Sequence, residues 1–352
     1  MSEGAQQAIL EPDLPIVDPH HHLWDRRAVG AGPNLPPVTH PMEWSARLSP
    51  YYMMEELLAD LNTGHNIVAT VFVQCHSMHR ASGPEAMRPV GETEYVNGVA
   101  AMSASGLYGP SRICAGIVGH VDLMLGEKVA REALEAHMAA GGGRFRGIRH
   151  IGSWDASPEA LGALARSTPP QLYRRDDFRS GFRALGQLGL SFDAWLLQPQ
   201  IDDLTDLARA FPDQPIVLDH VGTPIAIGPY AGQREALFAP WRESIRELAT
   251  CPNVTVKLGG LAMPFAGFPS FRSDPPATAA QLAAEWKPYL DVCIEAFGAE
   301  RCMFESNFPV DRGSCDYRTL WNAFKTYAAG FSASEKAALF SGTASRFYRL
   351  EP

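Results

Sequence analysis

The chain has 352 residues, of which 46% are hydrophobic and 20% charged, which is an ordinary globular composition and enough for one large core. Its formal net charge of -9 repels phosphate backbones, and no run of Lys or Arg reverses that field locally, so nucleic acid is excluded as an expected partner. The amino terminus lacks a secretion signal, and no apolar stretch approaches the roughly 18 residues of a membrane span, so we expect a cytoplasmic protein.

The first predicted element is a strand at Pro15–Asp18, and strand-like runs then alternate with helical patterns to the end of the chain. Continuous apolar runs suit parallel strands that are covered on both faces. The other predicted strands are Ile67–Cys75, Ile113–Val118, Gly147–Ile151, Leu190–Trp195, Pro215–Asp219, Val254–Leu258 and Cys302–Phe304. The predicted helices between them are Met53–Leu61, Glu127–Ala140, Asp202–Ala210, Glu235–Ala249, Leu282–Phe297 and Tyr317–Ala328.

Eight such units close naturally into a (β/α)8 TIM barrel, because parallel strands joined by helices cross over with one hand. We predict one barrel domain over residues 1–352, with 1–13 as a flexible amino-terminal segment. An open doubly wound sheet is the alternative, and the lack of a phosphate-binding glycine loop after the first strand weakens it. Long loops after strands at Trp24–Tyr52, His76–Gly91 and Leu261–Thr278 are expected to form the substrate pocket and its lid.

The six cysteines are widely spaced and form no Cys-x-x-Cys pair, and several lie inside apolar runs. This pattern predicts buried thiols in a reducing compartment rather than a disulfide framework. The residues are Cys75, Cys114, Cys251, Cys293, Cys302 and Cys315.

The sharpest local signal is the run Asp18-Pro19-His20-His21-His22 at the end of the first predicted strand. Because side chains alternate along a strand, His20 and His22 share one face with Asp18, and His21 takes the other face. Two imidazoles on the inner face of a barrel mouth can hold one metal ion or polarise a carbonyl group directly. A histidine-rich turn without a ligand is the plainer alternative.

Polar groups also follow most of the other predicted strands, where a barrel places its active site. A lone histidine is more often structural, but polar groups at seven strand ends are harder to explain that way. The candidates are His76 after the second strand, His120 after the third, Arg149 and His150 at the fourth, Asp219 and His220 at the sixth, Lys257 at the seventh, and Glu305 and Asn307 at the eighth.

Taken together, these motifs resemble the lactonase branch of the amidohydrolase superfamily, which includes 2-pyrone-4,6-dicarboxylate lactonase and the sugar-acid lactonases. The resemblance extends from Ile16 to Leu350 with the motifs in the right order. It rests on Asp-x-His-x-His-x-Trp at 18–24, Gly-Ile-Arg-His at 147–150, Asp-His-Val-Gly-x-Pro at 219–224, Lys-Leu-Gly-Gly-Leu at 257–261, Ser-Asn-Phe-Pro at 306–309 and Gly-Thr-Ala-x-x-Phe-Tyr-x-Leu at 342–350.

The resemblance implies a (β/α)8 barrel that opens a lactone or a similar C–O or C–N bond. It makes His20, His22 and His220 the groups that bind a metal ion or the scissile carbonyl, and it gives Arg149 to a substrate carboxylate, a role that suits a guanidinium. An ion pair inside the barrel wall is the alternative for Arg149. We expect one divalent ion, Zn, Mn or Fe, while a metal-free site also stays open.

Four further residues are predicted to contact substrate. They are Trp24, His76, His150 and Lys257, although core packing explains the tryptophan at least as well. The substrate is expected to be a small, acidic or aromatic molecule. A homo-oligomer or a pairing with a homologous subunit stays open.

The eighth strand departs from the family pattern, which is Gly-Ser-Asp-Trp-Pro and uses its Asp to deprotonate water. This chain has Glu305-Ser306-Asn307-Phe308-Pro309, and a neutral amide cannot act as a base. We expect the acidic role to have moved to Glu305, as metal ligand or proton acceptor, with Asn307 orienting water or substrate. The alternatives are a buried Glu305 paired with Lys257 or Arg149, and Asp311 as the base.

Three functions therefore stay open. The first is a hydrolase acting on a lactone, ester or cyclic amide. The second is another metal-dependent reaction on the same barrel, such as decarboxylation, hydration or oxygen chemistry. The third is a non-catalytic partner subunit or binding protein.

Overall fold

A computed structural model of the protein describes residues 8–27, 37–162 and 168–350. Eight parallel strands form a nearly closed barrel surrounded by helices, so the predicted (β/α)8 architecture is confirmed. Each strand pairs with the next one along the chain. In chain order the barrel strands are Ile16–His21, Ile67–Val73, Arg112–Gly119, Phe145–Arg149, Ser191–Ala194, Ile216–Leu218, Val254–Leu258 and Cys302–Phe304.

The barrel closes where the first strand meets the loop that follows the eighth strand. A parallel bridge joins His21 to Phe308, and the backbone N–H of His22 donates to the Phe308 carbonyl at 2.8 Å. The backbone N–H of Asn307 also donates to the His20 carbonyl at 2.9 Å. Closure therefore places the histidine run beside the Ser-Asn-Phe-Pro turn. The side chains of His22 and Asn307 are in contact, although the two residues are 285 positions apart in the sequence.

Helices cover the outside of the barrel, and every helix predicted from apolar spacing is present within a few residues of its predicted bounds. Two long helices, Val90–Ala104 and Asp176–Gln187, were not predicted. The others in the described part of the chain are Glu43–Leu48, Met54–Leu61, Glu127–Ala140, Pro158–Leu161, Ile201–Ala210, Arg234–Ala249, Ala279–Phe297, Tyr317–Tyr327, Ala333–Ala337 and Thr343–Phe347.

The core has two layers that follow from the alternation of side chains along the strands. Phe72 packs in the large cluster between strands and helices, whereas Val71 and Val73 pack with Val17 and Met303 inside the barrel. Because the strands are covered on both faces, their sequences are continuously apolar.

The predicted loop Trp24–Tyr52 contains regular structure. Its two ends, Trp24–Asp25 and Tyr51–Tyr52, pair as a short antiparallel ribbon, and the helix Glu43–Leu48 lies between them. Residues 28–36 of this loop lie outside the described residues.

The flexibility expected for residues 1–13 stays a prediction, but the described residues 8–13 contact a helix. The Asn322 side chain receives the Leu10 N–H at 3.0 Å and donates to the Ala8 carbonyl at 3.0 Å. Lys325 donates to the Glu11 carbonyl at 2.8 Å. These bonds anchor the segment to the helix Tyr317–Tyr327. Residues 1–7 lie outside the described residues.

All six cysteines are buried free thiols. Among the described helices, none is both long enough and apolar enough to cross a membrane.

Candidate active site

The first barrel strand directs His20 and His22 into the mouth of the barrel and His21 to the opposite face. His20 and His22 have ring centroids 4.9 Å apart in an edge-on arrangement. His21 is fully buried outside the mouth, where its Nε2 lies 2.8 Å from the Thr70 hydroxyl, which is on the second strand. Burial lowers the pKa of His21 to about 3, so this ring is a neutral packing group.

Glu305 connects His20 and His220 from beneath. Its Oε1 receives the backbone N–H of His220 at 3.1 Å and lies 2.6 Å from the Nδ1 of the same ring. Its Oε2 lies 2.8 Å from His20 Nδ1 but makes no aligned hydrogen bond with any described residue. All three side chains are buried, and the carboxylate has no exposed surface.

Two glycines after the seventh strand make room for this cluster. A Cβ at Gly259 would lie 2.4 Å from Glu305 Cγ, and a Cβ at Gly260 would lie 2.5 Å from the His220 ring. Gly260 also has a φ of +65°, which glycine adopts without strain. The Gly-Gly pair of the sequence motif therefore permits the close approach of Glu305 and His220.

The turn that carries His220 is itself strained. His220 has a φ of 56° and Val221 a φ of 48°, and a β-branched residue rarely adopts this left-handed conformation. Such strain persists only where the surrounding structure fixes it, and it concentrates at functional sites. Trp241 contributes to that fixation, because its indole N–H donates to the Val221 carbonyl at 2.9 Å.

A chain of hydrogen bonds runs from His22 through Asn307 to Asp311. His22 Nδ1 lies 2.8 Å from the Val73 carbonyl, which can only accept, so Nδ1 carries the proton of a neutral ring and Nε2 carries the lone pair. Nε2 lies 3.3 Å from the Asn307 amide, and the other end of that amide lies 2.7 Å from Asp311 Oδ1.

Burial and the nearby Arg149 hold the pKa of His22 well below its ordinary value, so the ring is neutral. Its Nε2 lies beside the Asn307 side-chain oxygen, and the Asn307 Nδ2 donates to Asp311 Oδ1. Burial raises the pKa of the Asp311 carboxyl well above its ordinary value.

Lys257 lies below the mouth, in an ion-pair network inside the barrel. Its ammonium is 2.7 Å from Asp193, 3.0 Å from Asp219 and 3.1 Å from His20 Nδ1. Burial opposes the charged form, but Asp193 and Asp219 outweigh it and raise the pKa of Lys257. Lys257 has no exposed surface and does not line the cavity described below. The sequence prediction that Lys257 contacts substrate is therefore not matched by its position.

Arg149 bridges the network and the mouth. It donates to the Gln74 carbonyl at 2.6 Å, lies 3.2 Å from His20 Nε2, and lies 3.5 Å from the Asp219 carboxylate. It therefore fits both readings of the sequence, because it is ion-paired inside the barrel and also reaches the cavity wall. Since Arg149 and Lys257 face opposite ring nitrogens, burial and these cations hold the pKa of His20 well below its ordinary value.

A cavity of about 420 Å³ opens above these groups, within the usual size range of small-molecule sites. His22, His220 and Asn307 form its base, and Trp24 and His76 lie on its wall as predicted contacts. The other wall residues in the described part of the chain are Arg26, His40, Met42, Glu43, Ser45, Ala46, Arg47, Cys75, Arg149, Ile151, Leu161, Trp195, Met263 and Val310.

His150 does not reach this cavity, contrary to its predicted substrate contact. Its ring packs 5.5 Å from Phe178 and 5.3 Å from the His120 ring, and its Nδ1 accepts the Leu123 N–H at 3.4 Å. The strand that carries it ends at Arg149, so the chain has already turned away from the barrel axis. His150 is a packing residue behind the wall.

Sequence analysis missed Asp193, which completes the ion-pair network, and Arg26, which lies on the cavity wall. Asp193 is an isolated acidic residue inside an apolar strand. Because a buried charge is costly unless it is paired, such a residue indicates a cationic partner elsewhere in the barrel. Arg26 offered no signal, because many loops carry exposed arginines.

The donor set fits a divalent metal ion. His20, His220 and Glu305 each offer a ligand atom, and these atoms lie within 4.8 Å of one another. The unbonded, buried Glu305 Oε2 is the further observation, since a carboxylate oxygen without a donor is costly and a cation would satisfy it. Imidazole and carboxylate together suit zinc, manganese and iron. His22 lies outside this compact group.

Comparison with known proteins agrees with the fold. The amidohydrolase family model matches residues 17–350, so the chain belongs to the amidohydrolase family. An uncharacterized protein, y4mH, of Sinorhizobium fredii is 34% identical over 340 residues, which are 96% of this chain and 99% of that protein. L-Fucono-1,5-lactonase of Burkholderia multivorans is 30% identical over 240 residues, which are 67% of this chain and 72% of the lactonase.

Two solved structures extend the comparison. A Burkholderia multivorans amidohydrolase with bound zinc is 25% identical, with a TM-score of 0.68, and the match covers 96% of this chain and 99% of that one. A Novosphingobium aromaticivorans 5-carboxyvanillate decarboxylase with manganese shares the fold at a TM-score of 0.57 and 13% identity, over 97% of both chains. The family thus includes lactonase-like relatives, and the fold also occurs in decarboxylases.

Proposed function

We propose that this protein is a hydrolase that opens a lactone, ester or cyclic amide of a small substrate bound in the cavity. The observation that carries the proposal is the contact between His220 and Glu305 at the base of the cavity. The His220 imidazole lies at the cavity surface, and its Nδ1 is held by the buried Glu305 carboxylate. This arrangement is one that activates water.

The contact sets the tautomer of His220. Because Glu305 can only accept, Nδ1–H donates to Oε1 at 2.6 Å and the lone pair stands on Nε2. Within the described residues, no hydrogen bond occupies Nε2. It is therefore free to take a proton from a water molecule in the cavity, and Glu305 stabilises the imidazolium that forms.

The Asn307 amide and the Arg149 guanidinium are the groups that can orient the scissile bond. Asn307 is on the base beside His22, and Arg149 is a permanent donor 3.2 Å from His20. Hydrogen-bond donors directed at the carbonyl oxygen favour the tetrahedral intermediate of acyl transfer. A divalent ion held by His20, His220 and Glu305 would occupy that His220 lone pair, and it would then supply Lewis-acid polarisation and a more acidic water in place of the histidine base.

The test is hydrolysis by the purified chain of a panel of lactones, aryl esters and cyclic amides, measured as acid release for the lactones and esters and as amine formation for the cyclic amides. The assay is run after chelation and after addition of zinc, manganese or iron. We expect turnover of at least one lactone or ester. His220→Gln should lose at least 100-fold of it. His21→Gln is the matched control and should retain it, since His21 lies on the same strand as the cluster but faces away.

Decarboxylation of an aromatic acid is the second candidate, because Asn307 stands where lactonases carry a basic Asp. The two functions differ in their products. A hydrolase consumes water and releases an acid, while a decarboxylase releases CO2 and consumes acid. Turnover of carboxylated phenols with CO2 release, and none of lactones or esters, would contradict the hydrolase.

A further inference from the structure

Arg26 is an arginine on the cavity wall, and the carboxylate whose charge acts on it is Glu92, which lies beyond ion-pair distance. It follows the short strand Trp24–Asp25, and its backbone N–H is held by the Pro50 carbonyl at 2.7 Å. Its guanidinium lies 4.0 Å above the Trp24 ring, and its one side-chain hydrogen bond, to the Cys75 carbonyl, is long at 3.4 Å. No ion pair joins it to any carboxylate of residues 8–27, 37–162 or 168–350.

The other charged groups of the wall are already paired. Arg149 lies 3.5 Å from the Asp219 carboxylate and donates its shortest hydrogen bond to the Gln74 carbonyl. Glu43 is the acidic side chain among the described lining residues, and it accepts hydrogen bonds from Thr39 and His40 and lies 3.6 Å from Arg47. Arg26 is therefore the charged wall residue that has no ion-pair partner among the described residues.

Its surroundings hold the guanidinium in place for a ligand. The guanidinium lies over the Trp24 ring and makes one long hydrogen bond, and a guanidinium can pair bidentately with a carboxylate. Partial burial lowers the pKa of Arg26 without neutralising an arginine, so the cation is desolvated but still charged. The rest of the wall includes Trp195 and Met263, which suit an apolar body.

We propose that Arg26, rather than Arg149, binds the carboxylate of the substrate. The substrate class is then an acid with an apolar or aromatic body, held with its carboxylate at Arg26 and its scissile bond at His220. The substrate part of this inference rests on the proposed hydrolase function, but the anion binding does not, because it is measurable without turnover.

The experiment is calorimetric titration of the full chain with 4-hydroxybenzoate and 4-hydroxybenzamide, which differ in charge and hardly in shape. We expect the wild-type chain to bind the acid at least tenfold more tightly than the amide. Arg26→Gln, which keeps a donor toward the Cys75 carbonyl, should reduce that preference to threefold or less. Arg26→Lys keeps the charge but loses the planar edge, and should give an intermediate preference.

Arg27→Gln is the matched control. Arg27 is the adjacent arginine, is 58% exposed, lies off the cavity and pairs with Asp25 at 2.7 Å, so its removal changes the net charge equally. It should leave the preference unchanged. The inference is overturned if Arg26→Gln retains the tenfold preference, if Arg27→Gln loses it as well, or if the wild-type chain does not prefer the acid, including by binding neither probe.

The two proposals fail separately. An Arg26-dependent preference for the acid, without hydrolysis of any lactone or ester, would contradict the hydrolase function and support the anion site. Hydrolysis of neutral and acidic substrates with equal KM values, unaltered in Arg26→Gln, would support the hydrolase function and contradict the anion site.

Discussion

Glu305 accepts two hydrogen bonds from His220, one from its backbone N–H at 3.1 Å and one from its ring at 2.6 Å. The two bonds fix both the strained turn and the tautomer of the ring. Glu305 has no exposed surface, so it acts on the cavity only through His220 or through a metal ion.

Glu305→Gln should lower kcat by a factor of about 10²–10⁴ with little change in KM, because a neutral amide does not stabilise the imidazolium. The measurement is steady-state kinetics on the best substrate of the hydrolysis panel, with metal content determined on the same samples. Retention of both turnover and metal near the wild-type level would show that Glu305 serves neither as metal ligand nor as partner of the base.

Asp311→Asn should leave turnover within about threefold of the wild-type level. Asp311 accepts a hydrogen bond from the Asn307 amide at 2.7 Å, and the side-chain oxygen of an Asn can accept the same bond. The infrared C=O band of a buried, protonated carboxyl should disappear in this variant. Loss of turnover by 100-fold or more in Asp311→Asn would instead make Asp311 the base, which the sequence left open.

Glu92 makes stability depend on pH outside the candidate metal site. Its Oε1 accepts the backbone N–H groups of Cys75 and Ser77 at 3.0 and 2.8 Å, and burial raises its pKa to about 7. Between an unfolded pKa near 4.5 and this value, the folded chain keeps a proton that the unfolded chain has lost. The stability that this group contributes therefore falls as the pH rises through that window.

Glu92→Gln should remove this dependence, since the amide oxygen can accept the same two N–H groups without ionising. Relative to the wild-type chain, the variant should gain up to about 3 kcal/mol of unfolding free energy between pH 5 and pH 8. Urea unfolding at both pH values measures the gain. An equal difference between the two proteins at pH 5 and pH 8 would contradict the assigned ionisation.

The strands were predictable because both faces of each strand are buried, so apolar runs alone define them. The helix Val90–Ala104 was not, because it is buried on several sides, carries Glu92 and Thr93 among its buried residues, and lacks a clear apolar stripe. The opposite orientations of His21 and its neighbours His20 and His22 were predictable, because they depend only on alternation along one strand. The partners of Lys257 and Arg149 were not predictable, because contacts across the barrel depend on the shear of the strands, which local sequence does not specify.

Lys257→Met should destabilise the fold rather than alter substrate binding. The substitution leaves Asp193 and Asp219 buried without their shared cation, and removal of one partner of a buried pair costs about 3–5 kcal/mol. Asp193 also receives the Tyr348 hydroxyl at 2.6 Å, so the effect reaches the last described turn of the chain. Urea unfolding should show the loss directly.

The double variant Lys257→Met/Asp193→Asn separates the ion pair from packing. The double variant removes one of the two carboxylates that Lys257→Met leaves unpaired, and the new Asn side chain can still accept a hydrogen bond from the Tyr348 hydroxyl. It should therefore recover at least half of the lost unfolding free energy. The folded fraction of Lys257→Met should show no KM change that favours neutral over acidic substrates, because Lys257 lies below the cavity. A stable Lys257→Met protein with a selective rise in KM for acids would return Lys257 to the substrate contacts that the sequence suggested and would mean that the cavity extends deeper in solution.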